Sequence, residues 1–235
     1  MLPKVIFYGH ACFEIRGIGG NILIDPFLCG NPLAKIKPNE ITEIDAILLT
    51  HGHEDHVGDT IEIARNNSAM IIAPFELARY MDMQGLKTHP MHIGGSHDFK
   101  WGRLKLTQAL HGSAIITDDT IIYTGNPCGF LIEIDGIVVY HAGDTGLFAD
   151  MKVFNELLHG KVIDLALLPI GDNFVMGPED AAIAVQWLKP KAVIPMHFNT
   201  FEAIRQDPLR FQKIAEEKTD STVIIMEPGE TIEIG

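Results

Sequence analysis

Residues 46–58 read Ala46-Ile47-Leu48-Leu49-Thr50-His51-Gly52-His53-Glu54-Asp55-His56-Val57-Gly58. An apolar, strand-like run ends in three histidines and a carboxylate set as H-x-H-x-D-H, and helical spacing begins at Gly58. Imidazole nitrogens and carboxylate oxygens are ligands that zinc, iron and manganese accept. A strand-to-helix turn can aim neighbouring side chains at two ions, with His51 and His53 facing one and Asp55 and His56 the other. A solvated polar turn is the alternative, and the density of ligand-type residues weighs against it.

One turn cannot complete a site for two ions, so further ligands are expected at other strand ends. His111 directly follows the apolar run 103–110, Asp144 lies just beyond 137–140, and His197 lies just beyond 192–194. Each alone reads as an ordinary polar residue at a strand end. Their shared placement after strands makes them candidate ligands.

Strand-like runs are expected at 4–7, 21–25, 45–50, 70–73, 103–110, 130–140, 165–169, 192–195 and 222–226. Turns at 16–20 and at Asp135-Gly136 suggest antiparallel hairpins. Helices are expected at 58–66, 75–84, 147–158, 178–188 and 201–217, the last interrupted or kinked by Pro208, and 112–129 reads as an irregular loop. No composition break or repeat divides the 235 residues, so residues 1–235 are expected to form a single layered domain of mixed helix and strand.

With 18 basic and 31 acidic residues, the chain carries a net charge of −13. Such a charge repels phosphate backbones and anionic lipid, so neither nucleic acid nor a membrane is an expected partner. Cys12, Cys29 and Cys128 suit neither a disulfide framework nor a zinc–cysteine site and read as small buried hydrophobes. Residues 1–7 lack the pattern of a secretory leader, and a cytoplasmic location is expected.

The order H-x-H-x-D-H, a lone His after a strand, apolar-Gly143-Asp144 and a final His after a strand resembles the metallo-β-lactamase superfamily. Gly9-His10-Ala11 and Gly171-Asp172-Asn173-Phe174 look most like a compact branch of uncharacterised metal-dependent hydrolases related to an ascorbate-phosphate lactonase. The resemblance implies an α+β fold, a four-layer αββα sandwich with the site at one edge of its two sheets. It also implies that His51, His53 and His111 hold one metal, that Asp55, His56 and His197 hold a second, and that Asp144 bridges them. Two divalent ions, zinc first with manganese, iron or nickel also fitting the donors, would share a bridging hydroxide as nucleophile. Asp55 and Asp144 are the candidate catalytic residues, Asp55 either relaying a proton or only ligating. Ser68, Ser96, Ser113 and Ser221 lie in no nucleophile context.

Metal-bound imidazoles usually pass their second nitrogen to a supporting acceptor. Asp25, before Pro26, fits that role and matches a supporting acid of the superfamily. His10 is a candidate pocket residue, and Asp172 and Asn173 either contact substrate or cap the turn before Pro178. His141 is expected to point away from the metals. The leading function is metal-dependent hydrolysis of an ester-like, lactone or phosphodiester bond in a small-molecule substrate, and a homo-oligomer is compatible with the sequence. A nuclease-type phosphodiesterase on RNA or DNA lacks the basic groove it needs. Iron-based redox chemistry lacks its usual flavin domain, and a non-enzymatic metal-binding protein is the remaining alternative.

Overall fold

In strand β1 (Lys4–Gly9), Val5 and Phe7 enter one buried cluster and Ile6 and Tyr8 another, as the two-residue period of a strand requires. The computed structural model describes residues 2–235, so Met1, included in the expected domain and leader reading, lies outside the described residues. The same partition runs through β2 (Cys12–Gly17), β3 (Gly20–Ile24), β4 (Ala46–Leu48) and, past the one-turn helix α1 (Glu54–Val57) and α2 (Thr60–Asn67), through β5 (Met70–Pro74). Phe13, Ile22, Ile24, Leu48 and Ile72 face inward, while Leu23, Ile47, Ile71 and Ala73 face outward. Ile63 and Ala64 of α2 and Leu77, Ala78 and Met81 of α3 (Phe75–Met83) cover that outward side.

β6 (Thr88–Met91) ends this half, and β7 (Ser96–Phe99) and β8 (Gly102–Gln108) begin the next. A separate hairpin of β9 (Ala114–Ile116) and β10 (Ile121–Tyr123) precedes β11 (Cys128–Ile134), β12 (Ile137–His141) and β13 (Leu165–Pro169). Helix α4 (Pro178–Leu188), β14 (Ala192–Met196), α5 (Pro208–Lys218), β15 (Thr222–Val223) and β16 (Thr231–Glu233) complete the chain order.

Two seven-stranded sheets result, ordered β16-β1-β2-β3-β4-β5-β6 and β15-β14-β13-β12-β11-β8-β7. Their inner faces share one core, in which Phe7, Phe13 and Ile24 join Leu104, Leu106, Phe130 and Ile132. Ala181, Val185 and Leu188 of α4, Phe211 of α5 and Phe154 of the 3-10 segment Ala149–Leu158 are buried in the layer around the second sheet. This is the α+β, four-layer αββα sandwich.

Strand direction places the site. β3 to β6 run parallel to one another, as do β12 to β15, and β11 is antiparallel to both β8 and β12. β8 therefore points the same way as β12 and β14, and the segments leaving β8, β12 and β14 emerge at one edge. Loops beyond the carboxyl ends of parallel strands are where such folds gather functional groups.

Several local expectations change. The helix expected at 58–66 is α2, and a one-turn helix that was not expected, α1, precedes it within the histidine motif and is stopped by Gly58 at φ 37°. The stretch 201–217 is interrupted and not kinked: a 3-10 turn at Glu202–Ile204 comes first, and Pro208 is the first residue of α5, capped by the Asp207 carboxylate, which accepts from Leu209 N–H at 3.0 Å. The 147–158 helix is a 3-10 segment beginning at Ala149, and the irregular loop 112–129 contains the β9–β10 hairpin. Cys12 and Cys128 are buried, but Cys29 is exposed.

Candidate metal centre

His51 and His53 leave β4 before α1, whose single turn carries Asp55 and His56 to the same edge. Gly52 between them is required by proximity. A Cβ there would lie 2.2 Å from Thr124 Oγ1, on the residue following β10, and 3.1 Å from the Ala114 backbone. Gly52 N–H instead donates to Ser113 Oγ at 3.1 Å, which bonds Thr124 Oγ1 at 2.7 Å. Asp144 follows Gly143, which sits at φ 62° and whose Cβ would fall 2.5 Å from the Cys128 carbonyl oxygen. His111 follows β8, and His197 follows β14 at φ 55°.

The structure brings all seven expected ligands together. Ligand atoms of His51, His53 and His111 lie within 4.8 Å of one another, as do those of His10, Asp55, His56 and His197, and those of His51, His56 and Asp144. His51 Nε2 is 3.0 Å from His53 Nδ1. Asp144 stands between the groups, with Oδ1 3.3 Å from His56 Nε2, and Oδ2 3.0 Å from His197 Nε2 and 3.6 Å from His111 Nε2. Four buried polar atoms here, His56 Nε2, Asp144 Oδ1 and both ring nitrogens of His197, have no hydrogen-bond partner. Orphaned buried donors and acceptors are costly. Three of them, His56 Nε2, Asp144 Oδ1 and His197 Nε2, belong to side chains that converge with nitrogen and oxygen donors, so the residues present fit divalent metal ions.

Residues 20–198 match the family described as the beta-lactamase superfamily domain. The chain belongs to the beta-lactamase superfamily. Within it the chain falls among the UPF0173 metal-dependent hydrolases. It is 53% identical over 231 residues to the one from Bacillus cereus strain B4264, covering 97% of this chain and 99% of that protein. It is 52% identical over 232 residues to that of Geobacillus sp. strain WCH70, covering 98% and 100%. Among solved structures it resembles Igni18, a metallo hydrolase from the hyperthermophilic archaeon Ignicoccus hospitalis, with a TM-score of 0.87 and 37% identity over 99% of this chain and 98% of that one.

In this beta-lactamase superfamily chain Asp25 sets the imidazole tautomers. It is fully buried and accepts from Thr50 N–H at 2.9 Å, from Thr50 Oγ1 at 2.6 Å and from His56 Nδ1 at 2.8 Å. The Thr50 hydroxyl spends its proton on Asp25, so at 2.9 Å it accepts from His51 Nδ1–H. In both histidines the proton is thereby held at Nδ1, and Nε2 is directed into the site.

His10, at φ 59° in the β1–β2 turn, places Nε2 3.1 Å from Asp55 Oδ2 and Nδ1 2.8 Å from Thr200 Oγ1. A carboxylate only accepts, so Nε2–H donates to Asp55 and Nδ1 accepts from Thr200. Burial, reinforced by His197, pulls the His10 imidazole down to about 4 and keeps it neutral. Burial likewise depresses His51, His53 and His111, which favours the neutral imidazole that ligates. Burial opposes charge on His56 and His197 too, but Asp144 outweighs it for both, aided by Asp25 at His56 and by Asp55 at His197, so His56 is held up and His197 rises to about 9. Asp144 and Asp55 remain ionised against burial, the first through His197 and His56 and the second through the hydrogen bond from His10 and the nearby His197 imidazole. The field around Asp144 therefore favours cations.

Asp172 and Asn173 are exposed at φ 60° and 46° and build a turn: Asp172 Oδ1 accepts Asn173 N–H at 2.9 Å, and Asp172 N–H donates to Met176 O at 3.0 Å. Neither lines the cavity at the metal centre; their neighbour Phe174 does. His141 is buried away from the centre, receiving Gly143 N–H on Nδ1 and reaching the Ala11 carbonyl through Nε2 at 3.0 Å. Thr50, Thr200 and Phe174 are site residues that sequence reasoning passed over. Thr50 carried a signal as the residue just ahead of the motif, and Phe174 as the last residue of the family-like stretch Gly171-Asp172-Asn173-Phe174.

Proposed function

We propose that this chain hydrolyses an ester-like, lactone or phosphodiester bond of a small molecule at a dinuclear metal site. The carrying observation is the set of buried, unpartnered atoms on His56, Asp144 and His197 among the other imidazoles. His51, His53 and His111 would hold one ion, Asp55, His56 and His197 the other, with Asp144 reaching both. Two divalent ions, zinc before manganese, iron or nickel, supply an activated water as nucleophile and a Lewis-acid clamp on the substrate oxygen.

The protein's own part is orientation and proton handling. Asp25 and Thr50 keep the donor nitrogens of His51 and His56 turned inward. Asp55 has a side chain 30% exposed, against 3% for Asp144, so it is the carboxylate able to exchange a proton with a substrate or water entering the cavity. Its Oδ2, fixed by His10, leaves Oδ1 to do so. The free cysteines and the acidic charge support a cytoplasmic enzyme with a small-molecule substrate, and no helix among the described residues is long and apolar enough to cross a membrane.

The test is metal analysis of the purified protein, followed by a panel of lactones, phosphodiesters, thioesters, β-lactams and RNA on protein reconstituted with each metal. Turnover of one small-molecule class, lost on chelation and in Asp144→Ala, is expected. Full activity in the chelated sample, or turnover of RNA alone, would overturn the reading.

A further inference from the structure

Six side chains line the cavity at the metal centre, and five of them, His53, Asp55, His111, Asp144 and His197, are assigned to metal. The sixth is Phe174. The cavity measures about 220 Å³, the liquid volume of about seven waters, and no lysine or arginine lines it. Arg205 lines a separate surface cavity with Thr200 and Phe201, and its guanidinium is shared with Glu202 at 3.4 Å. Apart from the five residues assigned to metal, the one side chain lining the cavity is aromatic.

Phe174 is 57% exposed, although its neighbours Val175 and Met176 are buried. Water on so large an apolar face is unfavourable, and the turn beneath it adds two consecutive non-glycine residues, Asp172 and Asn173, at positive φ. Packing does not explain that conformation, since the ring is not in the core. The turn is held firmly nonetheless: Phe174 N–H donates to the Asp172 carbonyl, Val175 N–H donates to it at 3.1 Å, and Met176 N–H donates to Thr145 O at 2.9 Å. Thr145 is the residue after Asp144, so the frame that places the carboxylate between the two ligand groups also places the ring at the cavity.

We propose that Phe174 is the specificity-determining wall of this site, and that the molecule cleaved carries a flat apolar substituent next to its scissile bond rather than a second anionic group. The inference rests on the hydrolytic metal centre proposed above. A ring or planar acyl group stacked on Phe174 buries apolar surface that the free protein leaves wet, while the reacting group sits over the metal ligands. A second phosphate or carboxylate would meet the Asp55 carboxylate and no lysine or arginine among the residues lining the cavity.

Acetohydroxamate and benzohydroxamate separate the two parts of the claim, because they share a metal-chelating head and differ by methyl against phenyl. Binding to zinc-reconstituted protein is measured by calorimetry. The wild type is expected to prefer benzohydroxamate by about tenfold. Phe174→Ala should bring the two probes to within about twofold, Phe174→Leu should restore part of the preference, and acetohydroxamate affinity should stay constant throughout. Phe174 is exposed, so both variants are expected to melt with the wild type. Binding of acetohydroxamate without a phenyl preference, or a preference that survives Phe174→Ala, overturns the role of Phe174 and leaves the metal centre standing. Failure of both probes to bind zinc-loaded protein overturns the metal centre and this inference with it.

Discussion

The backbone N–H of His197 donates to the carbonyl oxygen of His10 at 2.8 Å, and both residues hold positive φ, 55° and 59°. One leaves β14 and the other the β1–β2 turn, so this bond ties the two sheets together at the metal edge. The two imidazoles lie 4.0 Å apart between centroids, and His10 also bonds Asp55.

His10 is therefore a positioning residue for Asp55. His10→Ala should weaken metal retention about tenfold in a chelator competition. His10→Gln, long enough to offer an N–H to Asp55, should recover part of it. His10→Asn tolerates the left-handed backbone but falls short of Asp55, so it should melt near the Gln variant yet hold metal as poorly as Ala. Wild-type metal retention in His10→Ala would reduce the ring to a packing group.

Asp25→Asn replaces an acceptor of three hydrogen bonds by a group that must turn either a donor or a single acceptor towards Thr50 and His56. Metal affinity should fall by roughly 10- to 100-fold through lost control of the imidazole tautomers. Stability of the metal-free protein should fall by about 3 kcal/mol, because buried partners are left unpaired. A chromophoric chelator and a urea titration read the two effects separately.

Gly143→Ala puts a methyl 2.5 Å from the Cys128 carbonyl oxygen and 3.1 Å from Thr50 Cβ, at a φ of 62°. Its cost should be at least about 1–3 kcal/mol in urea unfolding. The larger effect should be on turnover, since displacing Asp144 by about 1 Å is enough for a loss near 100-fold. A variant as stable and as active as the wild type would show that the backbone relaxes freely here.

Tyr8 links stability to alkaline pH. Its hydroxyl donates to Glu14 Oε2 at 2.6 Å, and burial followed by that bond pushes the phenol well above its ordinary value. The unfolded chain loses the proton near pH 10, and the folded chain does not. The contribution is thus intact below about pH 10 and is withdrawn as pH rises beyond it. Tyr8→Phe should lower stability at neutral pH by about 1 kcal/mol and flatten its decline between about pH 10 and 11.5, read as urea midpoints. Tyr140, also raised by burial, still titrates in the variant, so the slope shrinks without vanishing.

The ligands were legible because metal chemistry demands rare residue types, and strand ends mark where they gather: His51 to His56 sit in one turn, and His111, Asp144 and His197 each follow an apolar run. Their support was legible only where it was charged. Asp25 stood out before Pro26, whereas Thr50 and Thr200 are hydroxyls whose meaning depends on partners distant in the chain. Phe174 stood in a family-like stretch, but its role was hidden, because what it faces is decided by the Asp172 turn and the Thr145 bond. The missed strands failed for similar reasons. β2 alternates Phe13 and Ile15 with Glu14 and Arg16, so it lacks the continuous run of valine, isoleucine and leucine that marked other strands, and its buried Glu14 is paired to Tyr8 and Arg16. β7 reads Ser-His-Asp-Phe because it is a sheet edge.

β16 lies beside β1 at the outer edge of the first sheet, and Phe7 exchanges hydrogen bonds with Glu230 and Gly229 in the approach to it. A ribosome delivers β1 early and its neighbour late, so a growing chain carries an unpaired strand edge through most of synthesis. Such edges invite pairing with other chains, and closing so long a loop is slow. The half that holds the histidine motif thus cannot acquire its last strand until the half that holds His197 has been made.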